Sequence, residues 1–129
     1  MKRVVISALS IFLAAGLSAC GDGGNSNDIV GKTMQNLANA SLPGADITRR
    51  ECGSCHYLDK NVRKVGPSLQ GIYGQAPKTR GIPVEVWNEV SLDAWIESPT
   101  GVHPETRMKI PGIKDAEKRA QIIEYMKTL

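Results

Sequence analysis

The chain has 129 residues, of which only 5% are aromatic, with a single Phe, and its formal net charge is +3. This length corresponds to one domain, since domains commonly contain about 100–150 residues. So few large aromatic side chains can fill only part of a hydrophobic core, which suggests that another group fills the rest. Without Lys2 and Arg3 the charge is close to neutral, so there is no basic footprint of a nucleic-acid-binding protein.

The first twenty residues, MKRVVISALSIFLAAGLSAC, have the pattern of an export signal. Their apolar run, 4–17, is too short for a spanning helix, which needs about 20 residues. The last four of these residues, LSAC, resemble the bacterial lipobox, in which the cysteine is acylated and begins the mature chain. We therefore expect a signal peptide over 1–19, a lipid on Cys20 that holds the protein to a membrane, and a periplasmic domain in the bacterial cell envelope. The alternative is an ordinary signal peptide that ends near a cysteine.

The segment 20–43 is expected to be a lipid anchor and tether that precedes the folded domain, 44–129. Its start, GDGGNSND, is small, polar and flexible, as is typical of a linker. Within it, Ile29, Thr33 and Leu37 recur at helical spacing and predict a loose helix over 29–40.

Two cysteines three residues apart, Cys52 and Cys55, are followed at once by His56. A thioredoxin-like disulfide usually lies beside a βαβ unit, and no strand pattern flanks this motif. A closed zinc site needs four ligands, and the only other candidate of that type besides His56 is His103. C-x-x-C-H is also the attachment signature of c-type haem. Positions i and i+3 share one face of a helical turn, so both thiols can reach the vinyl groups of one porphyrin edge while the imidazole ligates the iron. We favour this third interpretation.

The second axial ligand must come from another part of the chain. Met34 lies in the tether, and Met126 falls among the apolar positions of a predicted C-terminal helix, which indicates core packing. Met108 lies in HPETRMKIPGI, whose prolines exclude a regular helix, and a lone Met among charged neighbours has little packing role. We expect Met108 to be the ligand, with His103 as the runner-up.

From residue 44 to its end, the sequence resembles the small class I monohaem cytochromes c. The matches occur in order along the chain: CxxCH at 52–56, GPSLQGIYG at 66–74, Trp87, SLDAWI at 91–96 and TRMKIPGI at 106–113. The resemblance implies an all-α fold whose helices pack around one covalently attached haem. The expected helices lie near 44–55, 91–97 and 115–129.

The resemblance also implies particular residue roles. Cys52 and Cys55 would bind one haem c covalently, with His56 and Met108 as the axial ligands of its iron. Pro67 would orient the imidazole, and Trp87 would reach a haem propionate. Trp95 would lie beside the Met ligand. The haem pocket would be lined by Leu69, Leu92 and Ile113. Thr48 stands where the family often has an aromatic side chain against the last helix, so the closeness of that helix contact is left open.

A haem with two protein ligands implies an electron carrier rather than an enzyme, with redox proteins as donor and acceptor and no small-molecule substrate. The alternatives are a haem c subunit of a membrane oxidase or dehydrogenase complex, and a haem enzyme or sensor with a labile sixth ligand. Segment 47–80 holds seven basic and two acidic residues, whereas 81–129 holds six basic and eight acidic ones. This polarity favours a partner with an acidic docking face.

Overall fold

The structure, a computed structural model, describes residues 26–129, except for the side chains of 26, 27, 36 and 40. In this range the chain forms helices and no strand, which confirms the all-α prediction. The helices are α1 (Ser26–Ala40), α2 (Pro43–Cys52), α3 (Glu89–Glu97), α4 (Pro99–Val102) and α5 (Ala116–Met126). The predicted signal peptide, 1–19, and the predicted acylation site, Cys20, lie outside the described residues.

Local sequence sets the starts of three helices. Pro43 occupies the first turn of α2, where its missing N–H leaves no bond unmade. Before α3, the Asn88 side chain and Ser91 bond each other's backbone N–H groups in a capping box. The Asp115 carboxylate accepts bonds from the first backbone N–H groups of α5.

Some helix boundaries differ from those predicted. The helix expected over 44–55 ends at Cys52, because Gly53 and the next two residues form a turn rather than a further helical segment. The last helix is shorter than 115–129, since Asp115 is its cap and Met126 its final residue. The short helix α4 was not predicted from the sequence.

Helices α2 and α5 approach each other closely at a buried glycine. A Cβ added at Gly44 would lie 1.9 Å from the Gln121 backbone oxygen, so any larger residue would push the helices apart. Thr48 is fully buried one turn later, and its hydroxyl donates a 2.7 Å hydrogen bond to the Gly44 carbonyl. The sequence did not decide how closely the last helix packs near Thr48. The structure shows close packing, and the contact is built from small residues instead of an aromatic ring.

Helices α3 and α5 are joined by an ion pair whose guanidinium is buried and whose carboxylate is partly exposed. The Arg119 guanidinium, only 7% exposed, donates to both carboxylate oxygens of Asp93, at 2.7 and 3.3 Å. The hydrogen bond to Asp93 raises the pKa of Arg119 above its ordinary value, so the guanidinium stays charged. Removing the Asp93 carboxylate would leave the Arg119 guanidinium charged and buried, which is unfavourable.

The long segment between α2 and α3, 53–88, has no helix and contributes to the core through a few residues. Gly74, at φ 77°, donates its N–H to the Trp87 carbonyl, and the Trp87 N–H donates to the Gln75 carbonyl, both over 2.8 Å. These bonds bring Trp87 edge-on to Trp95, with ring centroids 5.3 Å apart. The buried core consists of Leu69, Trp87, Leu92, Trp95, Ile96, Ile122, Ile123 and Met126.

Helix α1 lies against the rest of the protein only near its end. Its Asn39 amide donates a 3.4 Å hydrogen bond to the Thr128 carbonyl, while most of its apolar side chains are exposed. The loose helix predicted over 29–40 is thus present and longer. Across residues 26–129, no helix has the length and apolar character needed to cross a membrane.

Replacing Gly44 by Ala should separate α2 from α5. The new Cβ would meet backbone, which cannot rotate away, so we expect a loss of about 1–3 kcal/mol in the free energy of unfolding, typical of an overpacked site. Thermal unfolding followed by circular dichroism measures this loss. Gly31→Ala is the matched control, because a Cβ at Gly31 has no neighbour within 4 Å and Ala favours a helix. Equal melting temperatures for Gly44→Ala and wild type would contradict the close packing.

Candidate haem site

The Cys52–His56 motif lies on a turn that continues the direction of α2. The N–H groups of Cys55 and His56 both donate to the Cys52 carbonyl, at 3.1 and 2.9 Å. The motif therefore keeps the i, i+3 and i, i+4 hydrogen bonds of a helical turn after the regular helix has ended. Cys52 is partly buried and packs against the core, whereas Cys55 is exposed.

The His56 ring is oriented by a backbone carbonyl. Its Nδ1 lies 2.6 Å from the oxygen of Pro67, the residue to which the resemblance gave the role of orienting the imidazole. A carbonyl can only accept, so Nδ1 carries the proton and donates. The lone pair of the imidazole is then on Nε2, the nitrogen available to a metal.

Gly66 provides the space that the His56 ring occupies. A Cβ at this position would lie 2.2 Å from the ring Cε1 and 2.7 Å from Nδ1. The Gly66 N–H also donates a 2.8 Å bond to the Cys55 carbonyl, which ties this part of the loop to the attachment turn. Gly66 was not assigned this role from the sequence, although a glycine directly before the proline that orients a histidine was a signal for such a contact.

Met108 lies on the loop between α4 and α5 and is held by two hydrogen bonds. The Trp95 indole Nε1–H donates to its sulfur over 3.2 Å, and the Met108 N–H donates to the hydroxyl of buried Thr106 over 3.2 Å. Trp95 is thus beside Met108, as the resemblance implied. Thr106 was not predicted from the sequence, because only the folded loop brings its hydroxyl to the Met108 backbone.

The end of the Met108 loop is fixed to α3 and α5. Gly112, at φ 78°, approaches α3 so closely that a Cβ would lie 2.0 Å from the Glu97 carbonyl oxygen. The next residue, Ile113, donates its N–H to the Ile96 carbonyl over 2.9 Å. Arg119 also donates to the carbonyls of Ile113 and Lys114, at 3.0 and 2.9 Å. One buried guanidinium therefore braces both the helix pair and the loop that carries Met108.

The other candidate ligands are placed differently. Met126 is 4% exposed and belongs to the core, in agreement with the packing role predicted for it, and Met34 is 65% exposed on α1. His103 is partly buried at the end of α4, where its carbonyl accepts from Thr106. Met108, by contrast, is partly buried against the same core cluster that Cys52 contacts.

Neither alternative chemistry of the cysteine pair finds support in the geometry. Burial, together with the charge of Glu51, raises the pKa of the Cys52 thiol to about 11, whereas cysteines that exchange disulfides have lowered pKa values. Cys52 and Cys55 are not joined by a disulfide. Among the described residues, no three His, Cys, Asp or Glu side chains converge as a metal cluster, and a closed zinc site needs four ligands.

The donor set and the shape of the turn do fit a haem. The donors are two thiols on one helical turn, an imidazole with its free lone pair on Nε2, and a thioether sulfur held in place. A glycine lies against the imidazole. The two tryptophans, Leu69 and Leu92 supply apolar surface in the adjacent core. The fold and this site define a small all-α protein of the type that attaches haem through Cys-x-x-Cys-His.

Comparison with known proteins gives the family. The chain is 35% identical to a cytochrome c of Euglena viridis over 97 residues, which covers 67% of this chain and 93% of that protein. It is 32% identical over 97 residues to a cytochrome c of Gibberella zeae, and 33% identical over 94 residues to one of Sesamum indicum. These matches cover 65% of this chain, and 89% and 85% of the respective relatives. No protein-family model matches the chain.

The chain belongs to the cytochrome c family. It carries one covalently bound haem c with its iron. The three relatives named are eukaryotic, and each match leaves about a third of this chain uncovered.

Replacing Gly66 by Ala should displace the His56 ring and weaken its bond to the Pro67 carbonyl. An imidazole that donates this bond is a stronger electron donor, so its loss should stabilise Fe(III) less and raise the midpoint potential. We expect a shift on the order of tens of millivolts, since 59 mV corresponds to a tenfold change for one electron. Spectroelectrochemical titration measures it.

Gly71→Ala is the control for this substitution. Gly71 has φ 63°, but a Cβ added there would have no neighbour within 4 Å, so Ala should lower the melting temperature through backbone strain and leave the potential unchanged. A Gly66→Ala protein that loses stability without a change in potential would contradict the orienting role.

Proposed function

We propose that the protein is a one-electron carrier whose single haem is attached through thioethers to Cys52 and Cys55 and ligated by His56 and Met108. When bound, the haem accepts and returns one electron. The observation that carries the proposal is the 3.2 Å hydrogen bond from the Trp95 indole to the Met108 sulfur. It holds a thioether, a ligand typical of electron-transfer haem, at a defined place in a loop that would otherwise be free to turn its side chain to solvent.

The residues around the two ligands also favour a carrier over an enzyme. Two protein ligands leave no open iron position for oxygen, peroxide or a substrate. A sensor or enzyme with a labile sixth ligand would need Met108 to leave readily. The Trp95 bond to the sulfur, the Thr106 bond to the backbone and the Arg119 brace at the loop end all oppose its departure.

The hydrogen bonds made by the two proposed ligands, Met108 and His56, shift the midpoint potential in opposite directions. Thioether ligation favours Fe(II). The Trp95 N–H withdraws electron density from the Met108 sulfur and adds to this preference. The Pro67 carbonyl makes the His56 imidazole more electron-rich and favours Fe(III). The chain thus tunes its potential from the two sides of the iron separately.

Met108→Ala should remove the sixth ligand. We expect loss of the weak long-wavelength absorbance of ferric methionine ligation, binding of cyanide or CO, and a potential lower by roughly 0.1 V, within the ~0.8 V range that axial ligands set. Met126→Leu is the control, because Met126 packs in the core and such a swap typically changes stability by less than ~1.5 kcal/mol. Loss of the band in a His103→Gln protein, with the band retained in Met108→Ala, would contradict the assignment.

We further propose that the carrier is held to a bacterial membrane by acylation of Cys20, with the haem domain in the periplasm. The sequence supports this through the basic start, the short apolar run and the LSAC exit. Stable anchoring needs more than one lipid chain, which lipoprotein processing supplies. The proposed signal peptide is then 1–19, and the anchor and tether 20–43.

Cys20→Ser should release the protein from membranes or block its processing. Labelled palmitate should mark the wild type and not the variant, because the acylated sulfur is absent. Membrane fractionation and intact mass of the N-terminal peptide measure both effects. Equal membrane association of the two proteins would instead favour an ordinary signal peptide. Co-purification with an oxidase or dehydrogenase after gentle solubilisation would favour the subunit alternative.

We propose that an acidic redox partner docks near the attachment turn. The seven basic residues of 47–80 are all exposed: Arg49, Arg50, Lys60, Arg63, Lys64, Lys78 and Arg80. Lys64 supports the idea most directly, because its ammonium donates a 2.7 Å bond to the Gly53 carbonyl, within the attachment motif. Lys60 and Lys64 also lie over the Tyr57 ring, at 5.5 and 5.4 Å. Positive charge is thus held beside exposed Cys55.

This charge should make electron transfer depend on salt. Between roughly 10 and 200 mM salt the Debye length falls from about 30 Å to under 10 Å, so oxidation of the reduced protein by anionic ferricyanide should slow markedly. Stopped-flow absorbance measures the rate. A Lys60→Gln, Arg63→Gln protein should show a flatter salt dependence with an unchanged potential. Lys114→Gln, Lys118→Gln makes the same charge change outside 47–80 and should behave as wild type. A salt-independent rate in all three proteins would contradict the proposal, because the basic residues of 47–80 would then not attract an anionic reagent to the haem.

A further inference from the structure

Helix α1 presents a broad apolar face that no described residue covers. The large side chains on it are 57–65% exposed: Ile29, Val30, Met34 and Leu37. They follow the i, i+1, i+5 and i+8 positions of one helix face. Thr33 lies on the same face, and its hydroxyl donates to the Ile29 carbonyl over 2.8 Å, which satisfies this polar group within the helix. The face is therefore continuous over about two turns of helix.

The opposite face of α1 is polar and carries almost no net charge. Asp28 and Lys32 are its two charged residues, and they cancel, while Gln35 and Asn39 complete it. The feature that α1 shares with helices lying in the plane of a membrane interface is a continuous apolar face opposite a polar one. Because the charges cancel, apolar burial rather than attraction to anionic headgroups would drive the contact.

The position of α1 in the chain identifies the membrane as its partner. Only five residues separate Cys20 from Ser26, and six extended steps span at most about 20 Å. A lipid on Cys20 would thus hold the start of α1 at the bilayer surface. The local concentration of that surface would be in the millimolar range or above, as for any short linker, so even a weak apolar face would stay bound.

We propose that α1 lies in the interface of a neutral lipid bilayer, with the Ile29–Leu37 face buried between headgroups and acyl chains. This inference rests on the proposed acylation of Cys20. At its other end, α1 is joined to the haem domain by two residues, and the Asn39 amide bonds the Thr128 carbonyl just after the end of α5. The bound helix therefore limits how the haem domain is oriented above the membrane, where a flexible tether would leave it free to tumble.

A second copy of the chain is a less suitable partner for this face. Helix pairs use a narrow seam of apolar positions, whereas the α1 arc includes adjacent residues, Ile29 with Val30 and Thr33 with Met34. An arc of that width suits a flat apolar medium better than another helix. Self-association is nevertheless a distinct outcome of the test below.

Thiol accessibility on the complete, haem-loaded protein tests the proposal. In the lipidated protein Cys52 and Cys55 are thioethers and Cys20 is acylated, so a new cysteine is the one free thiol. Leu37→Cys places it on the apolar face, and Lys32→Cys is the matched control on the polar face. The rate of reaction with a membrane-impermeant polyethylene glycol maleimide is measured in phosphatidylcholine vesicles. The same substitutions in Cys20→Ser protein collected from the soluble fraction give the rates in water.

The proposal expects Leu37→Cys to react roughly tenfold more slowly on vesicles than in the Cys20→Ser background, and Lys32→Cys to react within about twofold in both. Equal rates for the two Leu37→Cys proteins would overturn it, because α1 would then lie in water. Slow reaction that recovers on dilution into excess lipid would overturn it in favour of a second copy. Slow reaction of Leu37→Cys in the Cys20→Ser background, without vesicles, would overturn it too. Another part of the protein would then cover the apolar face of α1.

The mass of the N-terminal peptide tests the premise separately. An unacylated Cys20 overturns both the anchor and this inference. An acylated Cys20 with a fast Leu37→Cys reaction overturns the inference alone.

Discussion

The hydrogen bond between His56 Nδ1 and the Pro67 carbonyl is the constraint on which the haem site depends. It sets the tautomer of the ring, its direction and its basicity in one 2.6 Å contact. Gly66 allows the contact by bringing backbone against the ring, and its N–H ties the same loop to Cys55. The helix-free segment 53–88 gains a defined path from these bonds, since it has no internal helix to order it.

Helix α5 connects the two sides of the site. At Gly44 it touches the helix that leads into the cysteines, and through Arg119 it holds the end of the loop that carries Met108. The segments that carry His56 and Met108, the two proposed ligands, are far apart in the sequence, yet they share this one support. A substitution that moves α5 should therefore disturb both sides of the iron, although no residue of α5 is a proposed ligand. The Arg119 guanidinium is buried, so a substitution that removes its partners would leave an uncompensated charge.

The proposed anchor and the charge of 47–80 would together give the carrier an orientation that the family fold alone does not supply. Lys64 keeps positive charge at the attachment turn, and α1 leaves the domain near the last residue of α5. With α1 at a membrane surface, the haem domain would meet its partners within a narrow range of heights and angles. Two-dimensional diffusion at one leaflet would then replace a three-dimensional search, while the basic residues would act over a few ångströms at physiological salt.

The sequence by itself determined the haem attachment motif and the all-α class, and it predicted the export signal, because these are local patterns with a specific chemical meaning. It also indicated Met108 as a candidate ligand, since prolines on either side exclude a helix, although the structure packs this side chain against the core cluster as well. The tertiary structure decided the contacts that join distant segments. Gly44 against Gln121, Trp95 at the Met108 sulfur and Arg119 at the Ile113 carbonyl each connect residues from different elements. No local pattern predicts such pairs, because their energy comes from close approach and from satisfying buried polar groups, which exist only once the helices have packed.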